Sequence, residues 1–240
     1  MMIQAKRGFV PSDENEFGER SLPKLRRAAE DVYYLINRGY PVTGATRFIG
    51  DHYLLSERQR LALARTISPK DKILSRRERE VTDIAGKTID IDGFNVIIGL
   101  EIAFSNSMLF RCMDGTVRDL AGLRGTYRLI QETDLALDAL MKTLAELKVG
   151  KAIFHLDKPV SNSGRLKQKI YDHAESIGVS THVMIEDAVD HELKGKSLVA
   201  TGDAIILDEC DNWFNLVRYV ISQRIGEYPY IDICTEMREY

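Results

Sequence analysis

Aspartate residues follow four short apolar runs between residues 88 and 208, and these residues are Asp92, Asp157, Asp203 and Asp208. In open α/β sheets, ligands bind beyond the carboxyl ends of the strands, so acidic side chains at those ends are expected to share one pocket. Carboxylates brought together at neutral pH repel one another, whereas Mg²⁺ and Mn²⁺ prefer oxygen ligands. The pattern therefore predicts a Mg²⁺ or Mn²⁺ site in which these four aspartates are both the metal ligands and the catalytic residues.

Each of these aspartates also has a plainer interpretation. Asp-Gly and Thr-Gly-Asp are common in turns, and an aspartate after a strand often caps the next helix. Four such residues at the ends of four predicted strands favour a shared site over four separate caps. A divalent ion held there could activate a water molecule and offset charge on a phosphodiester during in-line displacement.

Five further polar residues near the predicted strand ends are candidates for substrate binding, and they are Asn95, Arg118, Ser161, Asn162 and Ser163. The asparagine lies three residues after Asp92, where it could orient the site or cap the next helix. The segment 161–163 leads into a predicted helix, whose positive N-terminus could bind a phosphate, although a capped helix start would have the same sequence. The arginine follows the second predicted strand and is a candidate phosphate ligand.

The elements that position these residues begin near residue 88, where short β-rich runs alternate with longer helical stretches. This pattern is typical of an α/β fold with a mostly parallel central sheet flanked by helices. Strands are predicted over residues 88–92, 108–112, 152–156, 181–185, 197–200 and 204–207, and helices over residues 96–104, 133–147, 164–176 and 213–224.

The N-terminal third of the chain has a helical pattern instead. Residues 1–20 are polar without periodicity and predict an arm that is either mobile or ordered by contact, and residues 21–86 predict a small all-α domain of three helices with a linker. The third helix and the segment after it are rich in arginine and lysine, which could track phosphates or form a solvated face. Residues 87–240 are assigned to the α/β domain, with a C-terminal tail.

Charge and composition support this division. Residues 1–86 carry a net charge of about +4 and residues 87–240 about −7, which fits a polyanion-binding module beside an acidic site. No window reaches the ~18 apolar residues of a membrane span, and the three cysteines show no CxxC spacing, so we expect a cytoplasmic protein.

The apolar tail after residue 226 could cover a core edge or form a homodimer. His155 falls inside a predicted strand, where a structural role is expected.

Two strings give the predicted site a family resemblance. Ile-Asp92-Gly-Phe-Asn95 and Ala-Thr201-Gly-Asp203-Ala-Ile-Ile-Leu-Asp208 resemble the first and last acidic motifs of PIN-like and NYN-like metal-dependent ribonucleases. The resemblance implies a PIN-like parallel sheet, one or two Mg²⁺ or Mn²⁺ ions, and hydrolysis of nucleic acid, with RNA as the first candidate substrate and DNA as the second. The middle acidic residue of such proteins generally lies on a helix, whereas Asp157 is expected to end a strand.

The N-terminal portion resembles the small helical domain that precedes such a domain in an uncharacterised prokaryotic family, through its strings Asn37-Arg-Gly-Tyr-Pro41 and Tyr53-Leu-Leu-Ser-Glu-Arg-Gln-Arg60. This resemblance implies the same domain order as the division given above, with a small helical part followed by a larger α/β part.

Two alternatives remain open. Asp90-Ile-Asp92-Gly resembles the nucleophile motif of haloacid-dehalogenase-like phosphatases, in which Asp90 would attack phosphorus and Asp92 would act as acid and base. A non-catalytic RNA-binding adaptor with a vestigial acidic site is the other alternative.

Overall fold

The structure of the protein is a computed structural model, which describes residues 7–122 and 125–235. The elements, in chain order, are α1 (Asp13–Glu16), α2 (Leu22–Ile36), α3 (Val42–His52), α4 (Glu57–Thr66), α5 (Lys70–Glu78), β1 (Thr88–Asp92), α6 (Gly93–Phe104), β2 (Phe110–Arg111), β3 (Val117–Arg118), α7 (Gln131–Glu146), β4 (Lys151–Asp157), α8 (Ser163–Ile177), β5 (Thr181–Glu186), α9 (Val189–Leu193), β6 (Val199–Ala200), α10 (Ala204–Glu209) and α11 (Leu216–Arg224).

The chain divides into two compact units. The first, which we call the helical unit, is formed from Met1–Glu78, Ser107–Ala121 and Pro229–Tyr240, of which residues 7–78, 107–121 and 229–235 are described. The second, the sheet unit, is formed from Arg79–Asn106 and Gly122–Tyr228. The first boundary thus falls at residues 78/79, eight residues before the predicted boundary at 86/87.

The predicted helices of the N-terminal third are present in the helical unit. In α2 the apolar residues recur at helical spacing and are buried, and Pro23 lies in the first turn, where its missing N–H costs nothing. The start of α4 is fixed by a capping box, because the Ser56 hydroxyl accepts from the Gln59 N–H and the Gln59 side chain accepts from the Ser56 N–H, both at 3.1 Å.

Part of the predicted arm over residues 1–20 is ordered by contacts within the helical unit, which is one of the two forms predicted for it. Phe17 is 1% exposed and packs edge-to-face on Phe110, with ring centroids 5.0 Å apart. The buried Asp13 accepts two hydrogen bonds from Arg58, at 2.6 and 2.7 Å. Sequence periodicity could not reveal this, because one aromatic residue and one ion pair anchor the segment without any repeat. Residues 1–6 lie outside the described part.

Two further segments complete the helical unit. Strands β2 and β3 pair antiparallel, and the Arg111 N–H donates to the Ile231 carbonyl at 3.0 Å while the Ile231 N–H donates to the Leu109 carbonyl at 2.9 Å. The predicted strand 108–112 therefore does not belong to the parallel sheet. Ile233 and Cys234 are buried in the core of the helical unit, so the tail covers a core edge. A homodimer stays a prediction.

The sheet unit has the predicted α/β architecture. Four parallel strands lie in the order β5-β4-β1-β6, and helices flank them. Alternate residues of β1 and β4, such as Ile89, Ile91 and Phe154, are fully buried apolar side chains. The residues between them point to the opposite face of the sheet, since successive side chains of a strand alternate. Asp90, Asp92 and the residues opposite them on β4 lie on that second face.

One strand prediction in the sheet unit is wrong. Residues 204–207 belong to helix α10, because the Asp203 carboxylate accepts from the N–H groups of Ile205 (2.7 Å) and Ile206 (3.3 Å) and so caps a helix. The helix predicted from residue 213 begins at Leu216. None of the helices in the described ranges 7–122 and 125–235 is long and apolar enough to cross a membrane.

Candidate functional site

Asp92 is the innermost residue of the strand-end site. It ends β1 and caps α6, with Oδ1 accepting from the Asn95 N–H at 3.4 Å and Oδ2 accepting from the Thr201 hydroxyl at 2.7 Å. Burial raises the pKa of this carboxyl to about 7; the Thr201 hydrogen bond opposes the rise, and the charges of Asp203 and Asp157 add to it. Asp92 is thus poised to hold a proton near neutral pH.

Asp203 is tied to Asp92 through one hydroxyl group. The oxygen of Thr201 accepts from the Asp203 N–H at 2.9 Å while its hydrogen is donated to Asp92. The Asn95 side-chain oxygen accepts from the Gly202 N–H at 2.7 Å. These bonds join the carboxyl ends of β1 and β6, which are hydrogen-bonded neighbours in the sheet. The Asp203 carboxylate caps α10, and its charge also acts on Asp92; its role as a metal ligand stays a prediction.

Asp157 occupies the end of β4, as expected, and is half-buried. Burial raises the pKa of its carboxyl; a hydrogen bond from the backbone of Val189 opposes the rise, and the charge of Glu186 adds to it. Asp157 also acts on Asp92, so the structure brings both Asp157 and Asp203 within electrostatic range of Asp92.

Asp190 is the site residue that sequence reasoning missed. It lies on the short helix α9 with an exposed side chain, and its pKa is raised by partial desolvation and by the charges of Asp203 and Asp157. The resemblance described above supplied a signal, since it expects the middle acidic residue on a helix. The acid-rich segment that follows β5, Glu186-Asp-Ala-Val-Asp190, supplied another.

Asp208 is not brought into this group. It lies in the last turn of α10, five residues beyond Asp203, and it is not among the charges that shift the pKa of Asp92, Asp157 or Asp190. Its charge acts instead on the thiol of Cys210. The prediction placed it at the end of a strand that is a helix, which moves its side chain around the helix axis.

The carboxylates of this site are the candidate donors for a metal ion. Among residues 7–122 and 125–235, no three His, Cys, Asp or Glu side chains form a group that could hold a metal. A closed cage is therefore missing from the described residues. Mg²⁺, however, usually keeps several waters and takes only one or two carboxylates from the protein. Asp92 and Asp203, whose carboxylate charges interact, are the two side chains that such a looser mode would use.

The predicted phosphate-binding segment 161–163 makes contacts within the sheet unit. The Ser161 hydroxyl accepts from the Tyr127 N–H at 3.2 Å, and the Asn162 amide donates to the Tyr127 carbonyl at 2.6 Å. Asn162 adopts a left-handed conformation, with φ of 65°, and Ser163 is the first residue of α8. The first two side chains thus anchor the segment around Tyr127, which leaves phosphate binding there as a prediction without support from these contacts.

Arg118 belongs to the helical unit, where it has a buried carboxylate partner. Its Nη2 lies 2.6 Å from Oδ2 of Asp114, and Nη1 of Arg76 lies 2.8 Å from the same oxygen. Burial opposes ionisation of Asp114, but Arg118, the Thr116 hydrogen bond and Arg76 outweigh it and lower the pKa of Asp114 to about 2. This geometry favours an internal ion pair for Arg118 over the predicted phosphate contact.

The basic helices of the same unit are used in a similar way. Arginines of α4 and α5 pair with carboxylates inside the unit, in the pairs Arg58–Asp13, Arg60–Asp51, Arg65–Asp119 and Arg76–Asp114. The predicted phosphate-tracking surface therefore receives no support from these four residues.

A histidine lies beneath the strand-end site in the sheet unit. His155 is 1% exposed; its Nε2 lies 2.8 Å from Oδ1 of Asp90 and its Nδ1 lies 2.8 Å from Oε2 of Glu186. Burial lowers the pKa of the imidazole, but the hydrogen bonds and charges of the two carboxylates outweigh burial and raise it. The row Asp90–His155–Glu186 joins three adjacent strands, β1, β4 and β5.

Comparison with known proteins gives matches to both parts of the chain. Residues 24–79 match "Protein of unknown function (DUF434)" and residues 81–219 match "Domain of unknown function (DUF5616)", so the two matches meet close to the boundary between the units. The chain is similar to Uncharacterized protein MJ0935 of Methanocaldococcus jannaschii, with 37% identity over 200 residues that cover 82% of this chain and 93% of that protein. No solved structure gives a significant match. Because the second match spans more than half of the chain, the protein belongs to the DUF5616 family, with a DUF434 segment preceding that domain.

Proposed function

We propose that the protein is a metal-dependent nuclease that hydrolyses phosphodiester bonds at the strand-end site. RNA is the first candidate substrate and DNA the second. One observation carries the proposal. Among carboxylates from β1, β4, α9 and the start of α10, the charges of those on β4 and α10 raise the pKa of those on β1 and α9, at the carboxyl edge of a parallel sheet, which is where α/β folds bind ligands. These residues are Asp92, Asp157, Asp190 and Asp203.

Asp92 and Asp203 would hold the ion, and Asp157 and Asp190 would be the further carboxylates of the group. Bound Mg²⁺ or Mn²⁺ would supply a Lewis acid that activates water and offsets phosphate charge. Thr201 fixes the two ligands relative to each other, because its hydroxyl bonds both residues at once. Because burial raises the pKa of Asp92 to about 7, binding of a cation by its carboxylate would release a proton near neutral pH.

The choice of a nucleic-acid substrate rests on the resemblance of the strings around Asp92 and Asp203 to PIN-like ribonucleases. The expectation of a basic helical surface does not add to it, since the arginines described above are paired internally. The three free cysteines, all buried, fit a reducing compartment, and we place the activity in the cytoplasm.

The phosphatase alternative receives less support from the geometry. Its nucleophile, Asp90, is 8% exposed and directs Oδ1 to Nε2 of His155 at 2.8 Å. A carboxylate that attacks phosphorus needs an oxygen directed at the substrate, and this bond commits one of the two oxygens elsewhere.

The test is cleavage of end-labelled single-stranded RNA in the presence of Mn²⁺ or Mg²⁺. We expect cleavage that EDTA abolishes and that falls by about 10²-fold or more in Asp92→Asn and Asp203→Asn, as for removal of a group that stabilises the transition state. The matched control is Asp138→Asn on α7, whose carboxylate pairs with Lys142 at the surface and lies outside the site.

Three outcomes would overturn the proposal. Cleavage that survives both site substitutions would show that another group performs the reaction. Hydrolysis of a phosphomonoester that requires Asp90 would favour the phosphatase. RNA binding without cleavage, unchanged in Asp203→Asn, would favour the adaptor.

A further inference from the structure

Three aromatic rings lie outside the core on the helix pair α2 and α3 of the helical unit. Tyr34 is 55% exposed, Tyr40 is 58% exposed and Phe48 is 68% exposed. On the same two helices, Val32 and Ile49 are buried in the core. A single exposed apolar side chain needs no explanation, but several aromatic rings left in water within one short segment mark a surface that a ligand covers. Residues 34–48 therefore form a candidate binding surface.

An arginine stacks on the first of these rings. Cζ of Arg38 lies 3.5 Å from the centre of the Tyr34 ring. A guanidinium that stacks on a ring presents its N–H groups at its edges, where they can bind a phosphate. Within residues 7–122 and 125–235, neither Arg38 nor the exposed Arg47 of α3 has a carboxylate partner, unlike the four arginines of α4 and α5 described above. These two cations are thus available to a ligand.

The chain that carries these rings is positively charged. Residues 32–50 contain two arginines and no acidic residue. The nearest acidic residues along the chain have partners within the unit, because Oδ2 of Asp31 accepts from the Tyr53 hydroxyl at 2.8 Å and Oδ1 of Asp51 lies 2.8 Å from Nη1 of Arg60. An apolar protein partner would cover the rings but would leave both arginines without a counter-charge. The charge of this segment is instead complementary to a polyanion.

One face of α3 continues this surface from the turn that follows α2. Phe48 lies four residues after Gly44 and seven after Pro41, so the three positions share one face of the helix, which begins next to Tyr40. Gly44 is exposed, and apart from its own stretch of chain no described atom lies within 4 Å of the point where a Cβ would stand. Packing therefore does not require this glycine, which is less favourable than alanine within a helix. Its bare backbone lets a ligand approach α3 closely beside Phe48.

We propose that the exposed rings and the two arginines of this segment bind single-stranded RNA. We call them the aromatic surface, and its residues are Tyr34, Arg38, Tyr40, Arg47 and Phe48. The rings stack on bases, and the guanidinium groups contact phosphates. Every base has a π-face, so binding tolerates changes of sequence, whereas the bases of a duplex are stacked on one another and do not reach the rings. The inference goes beyond the proposed function, because it requires neither a metal ion nor cleavage; only the choice of RNA over DNA rests on that function.

The test is binding of a fluorescently labelled oligouridine to the full-length protein, measured by anisotropy in EDTA so that no metal-dependent cleavage occurs. Phe48→Leu keeps an apolar side chain but removes the flat ring, and should raise the dissociation constant about tenfold. Phe48→Tyr is the matched control, since it keeps a ring and should bind within about threefold of the unsubstituted protein. Because residue 48 is exposed, both variants should keep the circular dichroism spectrum of the unsubstituted protein.

The salt dependence of binding tests the phosphate contacts. Arg47→Gln should reduce the slope of log affinity against log salt concentration by about 0.7, which is the value for one phosphate contact on a single strand. The matched control is Arg20→Gln, which should leave the slope unchanged. Arg20 is exposed and precedes α2, at the end of that helix roughly 20 Å from the turn that carries Arg38.

Several results would overturn the inference. They are a lack of oligouridine binding in EDTA, unchanged affinity in a folded Tyr40→Leu, Phe48→Leu double variant, and equal affinity for duplex RNA. Self-association that Phe48→Leu abolishes would assign the rings to a second copy of the chain, and tighter binding of single-stranded DNA would overturn the choice of RNA. Asp203→Asn should leave binding in EDTA unchanged, so binding without cleavage would overturn the proposed function alone. Cleavage by a protein whose RNA binding ignores the aromatic surface would overturn this inference alone.

Discussion

Replacing Asp92 by asparagine should stabilise the sheet unit at pH 8 when no divalent cation is present. The pKa of the Asp92 carboxyl rises from an ordinary 3.8 to about 7 on folding, chiefly through burial. The folded state therefore binds this proton more tightly than the unfolded state, and the free energy of unfolding falls as the pH rises from about 4 to about 7. A tenfold difference in acidity is worth about 1.4 kcal/mol, so the ionised carboxylate costs about 4 kcal/mol above pH 7.

The variant avoids this cost, since asparagine is uncharged and its side-chain oxygen can still cap α6. The assay is urea unfolding in EDTA, followed by fluorescence of Trp213, which is the single tryptophan of the chain and is fully buried in the sheet unit. The gain in unfolding free energy over the unsubstituted protein should be near zero at pH 4 and should grow to several kcal/mol, about 4 at most, at pH 8. A gain that does not change with pH, or a loss at pH 8, would refute this explanation of the acidic site.

Three other substitutions test the packing around the two units. Asp114→Asn should lower the free energy of unfolding by about 2–3 kcal/mol at pH 7, measured by hydrogen exchange in α5. Because folding lowers the pKa of Asp114 to about 2, this loss of stability should shrink as the pH falls from about 4 to 2. Gly93→Ala should cost about 1–3 kcal/mol by Trp213 fluorescence, since its new methyl carbon would meet Leu156 at 2.5 Å. Phe17→Ala should cost about 3–5 kcal/mol in thermal unfolding by circular dichroism; a cost near zero would mean that residue 17 lies outside the core.

The parts of the fold that the sequence predicted are those with local signals. The cap at Ser56, the apolar stripe of α2 and the alternation in β1 and β4 depend on neighbours within one turn or one strand. The run Ala204–Leu207 misled because its isoleucines suit a strand, and short apolar runs do not distinguish the two structures. The preceding Asp203 determines that this run is a helix, because its carboxylate caps the helix there.

Pairing between residues distant along the chain could not be predicted from the sequence. The link between Arg111 and Ile231 spans 120 residues and depends on backbone groups, which leave no trace in the side-chain pattern. For the same reason the sequence placed Asp92, Asp157 and Asp203 at one edge of the sheet but did not include Asp190, which reaches that edge from a short helix. The pairing of His155 with two carboxylates needed the strand order, which periodicity does not give.

The central claim is that carboxylates distant in the sequence share one divalent cation, and diffraction from a crystal soaked in Mn²⁺ tests it most directly. We predict an anomalous-difference peak between Asp92 and Asp203, with Asp157 or Asp190 beside it and Asp208 away from it. A map without a peak at this edge of the sheet at saturating Mn²⁺, or with the ion bound only elsewhere, would contradict the account.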